Sequence, residues 1–169
     1  MKNIQKELAN IRKGNYAPIY LVLGEERYFI EQIRETIIEH ALDEESIDLN
    51  FSSFDMEEDT INDALFEASS FPFFGDRKVV FVQNPYFLTG KKVKSAPKHN
   101  IDELEEYIKN PAEFTILVLF APYEKLDRRK KITKTLEKNA QLIDVPSPYP
   151  NEVNRYVKEI IKEKGYQMT

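Results

Sequence analysis

The sequence predicts an α/β protein of three layers, with a mainly parallel sheet covered by helices on both faces. Three observations lead there. Short apolar runs of strand length alternate with amphipathic stretches of about ten to fifteen residues, the order that right-handed crossovers turn into a parallel sheet. Two of the runs, Ile19–Leu23 and Phe114–Phe120, are apolar at nearly every position, as strands covered on both sides must be. The chain has 169 residues, which allows one or two domains and burial of roughly 70% of the unfolded surface.

The elements follow in order. Asn3–Lys13 sets Ile4, Leu8 and Ile11 at helical spacing and stops at Gly14, a residue suited to the left-handed position after a helix. Pro18 leads into the strand Ile19–Leu23, which Gly24 ends. Glu25–Ala41 reads as a helix with Ile30, Ile33 and Ile37 on one side. Asp48–Phe54 alternates Leu49 and Phe51 with polar residues, as a strand near a sheet edge does. Thr60–Ala68 is a short helix, capped by Asp59 or Thr60 and closed before Pro72. A strand at Lys78–Val82, a Lys-rich loop and a helix at Ile101–Lys109, stopped by Pro111, come next. The strand Phe114–Phe120, a helix at Tyr123–Lys138 carrying Leu126, Ile132 and Leu136, and a last strand at Leu142–Val145 complete a domain over residues 1–145. The prolines of Pro146-Ser147-Pro148-Tyr149-Pro150 make a stiff connector to an amphipathic helix at Glu152–Lys164. Residues 146–169 are therefore expected to be a linker and the first helix of a second domain, cut just inside it.

Composition narrows the chemistry. There is no cysteine, so disulfides, thiolate nucleophiles and Cys zinc sites are excluded together. His40 and His99 lie far apart without a ligand-spaced partner and are expected at the surface rather than on a metal. The longest apolar run, Phe114–Pro122, is too short to span a bilayer, and the N-terminus lacks the continuous apolar core of a signal peptide. A cytoplasmic protein without membrane contact is the expectation. The net charge of −5 divides unevenly: residues 1–75 hold 16 acids and 6 bases, residues 76–169 hold 13 acids and 18 bases. Such asymmetry fits either a polyanion near the second half or attraction between the halves.

The place to look for a phosphate cradle is the first strand-to-helix loop, Leu23-Gly24-Glu25-Glu26-Arg27-Tyr28. A phosphate-binding loop needs several glycines followed by Lys and Ser or Thr; this one offers one glycine and two carboxylates. The strand Lys78–Val82 runs into Gln83-Asn84-Pro85 and lacks the acidic end that would hold magnesium. Nucleophile-elbow, zinc-protease and calcium-loop patterns are absent as well. Asp43-Glu44-Glu45 and Glu57-Glu58-Asp59 read as solvated turns and helix-start charges rather than general acids. No catalytic residue, metal or cofactor is expected.

Two segments carry binding character. Phe71-Pro72-Phe73-Phe74 concentrates three of the chain's 11 phenylalanines where Pro72 forbids a helix. The rings either cap the sheet or project as an aromatic wedge, each contributing roughly 1.5 to 3 kcal/mol if buried in a partner's pocket. Lys125–Lys138 holds seven bases and two acids, including Arg128, Arg129, Lys130 and Lys131, and Lys91, Lys92, Lys94 and Lys98 add four bases in the preceding loop. These bases either form a solvated face or neutralise the phosphates of a nucleic acid. No aromatic residues interleave for base stacking.

The succession Pro18–Glu26, then Phe71-Pro72-Phe73-Phe74-Gly75-Asp76-Arg77-Lys78-Val79-Val80, then Glu124-Lys125-Leu126-Asp127-Arg128-Arg129-Lys130-Lys131 resembles the delta-subunit family of bacterial DNA polymerase III. The resemblance runs across nearly the whole chain. It implies an AAA+-like domain without a phosphate-binding loop, a helical lid domain starting near Pro150, and a C-terminal collar domain missing from this chain. It implies no bound ATP and no catalysis, within a DNA polymerase holoenzyme. The implied role is in the clamp loader, gripping and opening the ring-shaped sliding clamp (beta subunit) with a hydrophobic pair that falls on Phe73 and Phe74, flanked by Phe71 and Pro72. The family often has Leu-Phe there, so Phe73 is a departure that keeps the apolar character. The implied partners are the clamp, other loader subunits, mainly through the collar domain, and primed DNA, with Arg128–Lys131 facing DNA or a neighbouring subunit. The rival expectation is a stand-alone nucleic-acid-binding module that uses a basic helix at 125–138.

Overall fold

The computed structural model describes residues 2–73 and 75–145; the expected proline connector and the helix at 152–164 lie outside the described residues. Helix α1 (Lys2–Arg12) leads to β1 (Ile19–Leu23), α2 (Arg27–Ala41), a helical turn α3 (Ile47–Asn50), β2 (Phe51–Asp55) and α4 (Ile61–Ser69). Then come β3 (Lys78–Gln83), α5 (Ile101–Lys109), β4 (Thr115–Ala121), α6 (Lys131–Asn139) and β5 (Gln141–Asp144). Every pairing is parallel, in the order β2-β3-β4-β1-β5. All strands therefore begin at one edge of the sheet and end at the other, and α4, returning between β2 and β3, brings its C-terminus back to the edge where strands begin.

The two-residue period of the strands feeds two cores. In β3, Val80 and Val82 pack with Ala64, Leu65, Leu104, Ile108 and Leu136 of α4, α5 and α6. Val79 and Phe81 pack on the other side with Ile4, Leu8, Ile33 and Ile37 of α1 and α2. The Phe81 ring stands edge-on between those of Phe51 and Phe120, with centroids 4.9 Å away in both cases, and each such pair adds roughly 1 kcal/mol beyond burial. Among the described residues no helix is long and apolar enough to cross a membrane.

Three expectations are corrected. The strand predicted from Asp48 starts only at Phe51, because Ile47–Asn50 forms a helical turn that tucks Ile47 against the core and buries Asn50 while Leu49 stays exposed. The helical period is carried instead by Ile47 and Phe51, four apart, which both pack against the core.

The helix predicted from Tyr123 starts only at Lys131. Asp127 Oδ1 accepts the Arg129 backbone N–H at 3.0 Å, and Asp127 donates its own N–H to Leu88 O at 2.8 Å. This side-chain turn, tied to a neighbouring loop, gives the backbone an alternative to helix. Leu126 is buried all the same, from a loop.

His40 is exposed as expected, but His99 is half-buried. Its Nδ1 accepts the Ile61 N–H at 3.0 Å, so the ring proton sits on Nε2, which donates to Met56 O at 2.9 Å. Burial lowers its pKa below the usual imidazole value, against the pull of the Met56 carbonyl.

Candidate functional site

The first strand-to-helix loop is occupied by its own main chain. Gly24 has φ +138°, and its N–H donates to Ala121 O at 3.0 Å. A Cβ at Gly24 would collide with Val145 O, and Val145 is fixed there by donating its N–H to Leu23 O at 2.7 Å. The one glycine thus spends its amide on β4 and its missing side chain on the chain leaving β5. What remains of the loop is the carboxylates of Glu25 and Glu26, which repel a phosphate.

The aromatic segment sits at the opposite edge, on a braced helix end. Thr60 caps α4 at its start by accepting the Asp63 N–H at 3.1 Å. Ile61, Ala64, Leu65 and Ala68 face the core. A helix leaves its last carbonyls without helical partners, and here three are met from outside the ladder. Ser70 Oγ donates to Phe66 O at 2.8 Å, Lys78 Nζ to Glu67 O at 2.8 Å, and Thr115 Oγ1 to Ala68 O at 2.6 Å. Lys78 is 3% exposed and also pairs with the Glu67 carboxylate at 2.6 Å. Because Lys78 and Thr115 are directly paired at the starts of β3 and β4, the sheet itself clamps the end of α4.

From this support the chain leaves the helix and presents its rings. Phe71 is 82% exposed and Phe73 78%, so of the two expectations these rings follow the projecting one; Pro72 is half-buried. Phe74 lies outside the described residues. The backbone beneath the rings is held: Phe73 donates its N–H to Oδ1 of the buried Asn50 at 3.2 Å, Gly75 turns at φ +70°, and the Arg77 guanidinium covers the Tyr16 ring at 4.6 Å. Phe71 touches the Phe114 ring, with centroids 5.0 Å apart.

Phe66, on the outer face of α4, is 75% exposed as well and was not picked out from sequence. Its signal was available, since Ile61, Ala64, Leu65 and Ala68 define the inner face and leave Phe66 on the outer one. Leaving such a ring in water forfeits roughly 2 kcal/mol of burial.

The basic residues are placed differently. Arg128 and Arg129 lie in the loop before α6, not on a helix, while Lys130 caps α6 and Lys131 opens it. Each has a partner. Arg128 pairs with Glu137 at 3.4 Å, Arg129 grips both Asp127 oxygens at 3.0 and 3.1 Å, and Lys131 pairs with Glu105 at 3.4 Å. Lys130 Nζ donates to Phe87 O at 3.0 Å. The Arg129 hydrogen bonds hold the Asp127 carboxyl below the usual carboxylate range. Lys91 reaches the same side, its ammonium 5.0 Å from the Tyr123 ring centre. Two stretches of bases that are separate in sequence thus meet where β3 and β4 end.

The acidic stretches serve as turns: Asp55 Oδ1 accepts the Glu57 N–H and Asp59 Oδ2 the Asp55 N–H, both at 3.0 Å. Among the described residues no three His, Asp or Glu gather as metal ligands would.

A five-stranded parallel sheet covered by helices on both faces, with the amide of its first-loop glycine bonded to its own backbone and exposed rings on a braced helix end at the other edge, defines the class: a three-layer α/β domain of AAA+-like fold. A family model described as DNA polymerase III, delta subunit matches residues 20–146. The chain belongs to that family. It is 42% identical over 153 residues to DNA polymerase III subunit delta of Bacillus subtilis, covering 90% of this chain and 44% of that protein. The solved structure of the Bacillus subtilis DNA clamp loader delta protein superposes with a TM-score of 0.84 at 40% identity, over 95% of this chain and 48% of that one. A gamma subunit-related protein of DNA polymerase III from Thermotoga maritima shares the fold, with a TM-score of 0.53 at 17% identity, over 95% of this chain and 52% of that one. The chain spans about half the length of the relatives it matches.

Proposed function

We propose that this domain is the clamp-gripping part of a clamp-loader delta subunit, binding the ring-shaped sliding clamp through Phe73 and Phe74, with Phe71, Pro72 and Phe66 around them. The observation that carries this reading is the braced loop that exposes Phe71 and Phe73 in water. A loop already held by Asn50, Lys78 and Thr115 loses little entropy on docking, so more of the ring burial appears as affinity. Opening follows if the bound surface fits an open clamp interface better than a closed one, since binding shifts an equilibrium only by its differential affinity.

The role is non-catalytic. With the Gly24 amide committed to Ala121 and two carboxylates following it, ATP titrated into the chain is expected to release no binding heat. The domain acts in the cytoplasm, where replication takes place, joined to other loader subunits mainly through segments beyond this chain. The decisive experiment is a pair of substitutions, Phe73→Ala and Phe74→Ala, with affinity for the organism's own clamp measured by calorimetry; unchanged affinity refutes the assignment.

A second contact, with primed DNA, is favoured by one observation. The Asp127–Leu88 and Lys130–Phe87 hydrogen bonds bring Lys91 and Arg128–Lys131 to one side. DNA binding through these groups has an affinity that falls steeply with salt, whereas clamp binding through the rings does not.

A further inference from the structure

The edge of the sheet that carries the aromatic loop also holds a polar pocket of about 480 Å³, lined by Glu7, Asn10, Asn15, Tyr16, Tyr20 and Gln141. Glu7 projects from α1 toward the start of β5 and is only 6% exposed. Its carboxylate accepts a hydrogen bond from Gln141 Nε2 at 3.1 Å. Among the described residues no lysine, arginine or histidine forms an ion pair with it, although other carboxylates in the chain, such as Glu67 and Glu105, have one. A carboxylate taken out of water without a counter-charge is costly, and burial raises the Glu7 pKa, with Lys6 pulling it back in part.

The surroundings have the acceptors that a cation needs. Asn10, Asn15 and Gln141, whose side-chain amides each carry an acceptor oxygen, line the same space as Glu7. The hydroxyls of both tyrosines are already engaged. Tyr16 donates to His40 O at 2.6 Å and Tyr20 accepts the Ala17 N–H at 2.8 Å, so the pocket wall is fixed rather than free to collapse onto Glu7. The pocket also adjoins the aromatic loop, since the Tyr16 ring that lines it is the one covered by Arg77 at 4.6 Å.

We infer that this pocket receives a single primary ammonium or guanidinium group, with Glu7 as its counter-ion. Resting on the function proposed above, that group is a lysine or arginine side chain of the partner seated on Phe73.

The test titrates the chain with n-butylammonium and, separately, methylguanidinium, following the backbone amide resonances of Gly14, Asn15 and Ala17. Saturable shifts in the unsubstituted chain, weakened at least about tenfold by Glu7→Gln, support the pocket. No saturable shift, or equal midpoints in the two proteins, overturns it. Glu7→Gln keeps the shape and an acceptor for Gln141, and an unchanged amide spectrum away from the pocket shows that the fold is intact.

The source of the group is decided by clamp affinity. A drop of about tenfold in Glu7→Gln supports a partner side chain, and unchanged affinity overturns that half in favour of a free amine. Should Phe73→Ala with Phe74→Ala leave clamp binding intact, the proposed function fails while the small-cation titration still decides the pocket.

Discussion

Phe71 and Phe73 at one edge of the sheet and Arg128 and Arg129 at the other are all strongly exposed, yet they stand in opposite energetic positions. The arginines are hydrated, and each already faces a carboxylate, Glu137 or Asp127. The rings stay mostly in water, a poor solvent for them, even with Phe71 against Phe114, while the backbone of Phe73 is held by Asn50 and the chain turns at Gly75. Exposure by itself is weak evidence of a site. Exposure maintained by a braced backbone, against the preference of the side chain, is strong evidence.

Four experiments bear on this contrast. The largest effect is expected from Phe73→Ala combined with Phe74→Ala, which should weaken clamp binding at least about a hundredfold by surface plasmon resonance, the loss expected of two central aromatic anchors. Phe73→Ala alone should leave the thermal midpoint unchanged, because its ring is in water in the free chain.

Next comes Lys78→Met. It removes the donor to Glu67 O and the counter-charge of Glu67 together, and should cost about 2 kcal/mol in urea unfolding. Clamp affinity should fall as well, since the end of α4 loosens while the rings remain.

A smaller effect is expected from pH on the other side of the molecule. The His99 pKa in the folded chain lies below its ordinary value of 6.5, so on acidification the unfolded chain takes up this proton first. The His99 contribution to stability is therefore full above pH 6.5 and is lost as pH falls from there toward the folded pKa. The exchange protection factors of the Met56–Ile61 amides should fall from pH 7.5 to 5.5 more in the unsubstituted chain than in His99→Gln, with the protection of Phe73 indifferent to that substitution.

The smallest change is expected from Arg128→Glu with Arg129→Glu. Paired surface charges add little to stability, so neither the unfolding midpoint nor clamp affinity should move. A loss of clamp affinity here as large as that from the rings would erase the distinction between the two edges.

Much of the fold was legible because it rests on periodicity. The runs at Ile19, Lys78 and Thr115 could be little else but covered strands, and the register that pairs Lys78 with Thr115 follows from their parallel order. The misread segments were decided by contacts distant in sequence. Asp127 abandons the helix because Leu88 offers a carbonyl and its own carboxylate offers Arg129 an acceptor, while His99 is drawn inward by Met56 and Ile61. At the candidate site, the concentration of phenylalanines at 71–74 was visible from Pro72 alone. The brace was not, because a lysine at a strand start gives no sign that it will lie buried against a helix end.

Gly24 sets a limit on redesign. Its neighbours are Ala121 O and the backbone and Cβ of Val145, atoms that trimming a side chain to alanine would leave in place. Grafting glycines and a lysine into residues 24–28 would therefore leave the obstruction in place, and an ATP-binding version of this scaffold must first re-route the chain after Asp144. By contrast, the aromatic edge can be retargeted by exchanging rings alone, since its supports at Lys78, Thr115 and Asn50 lie beneath the exposed surface.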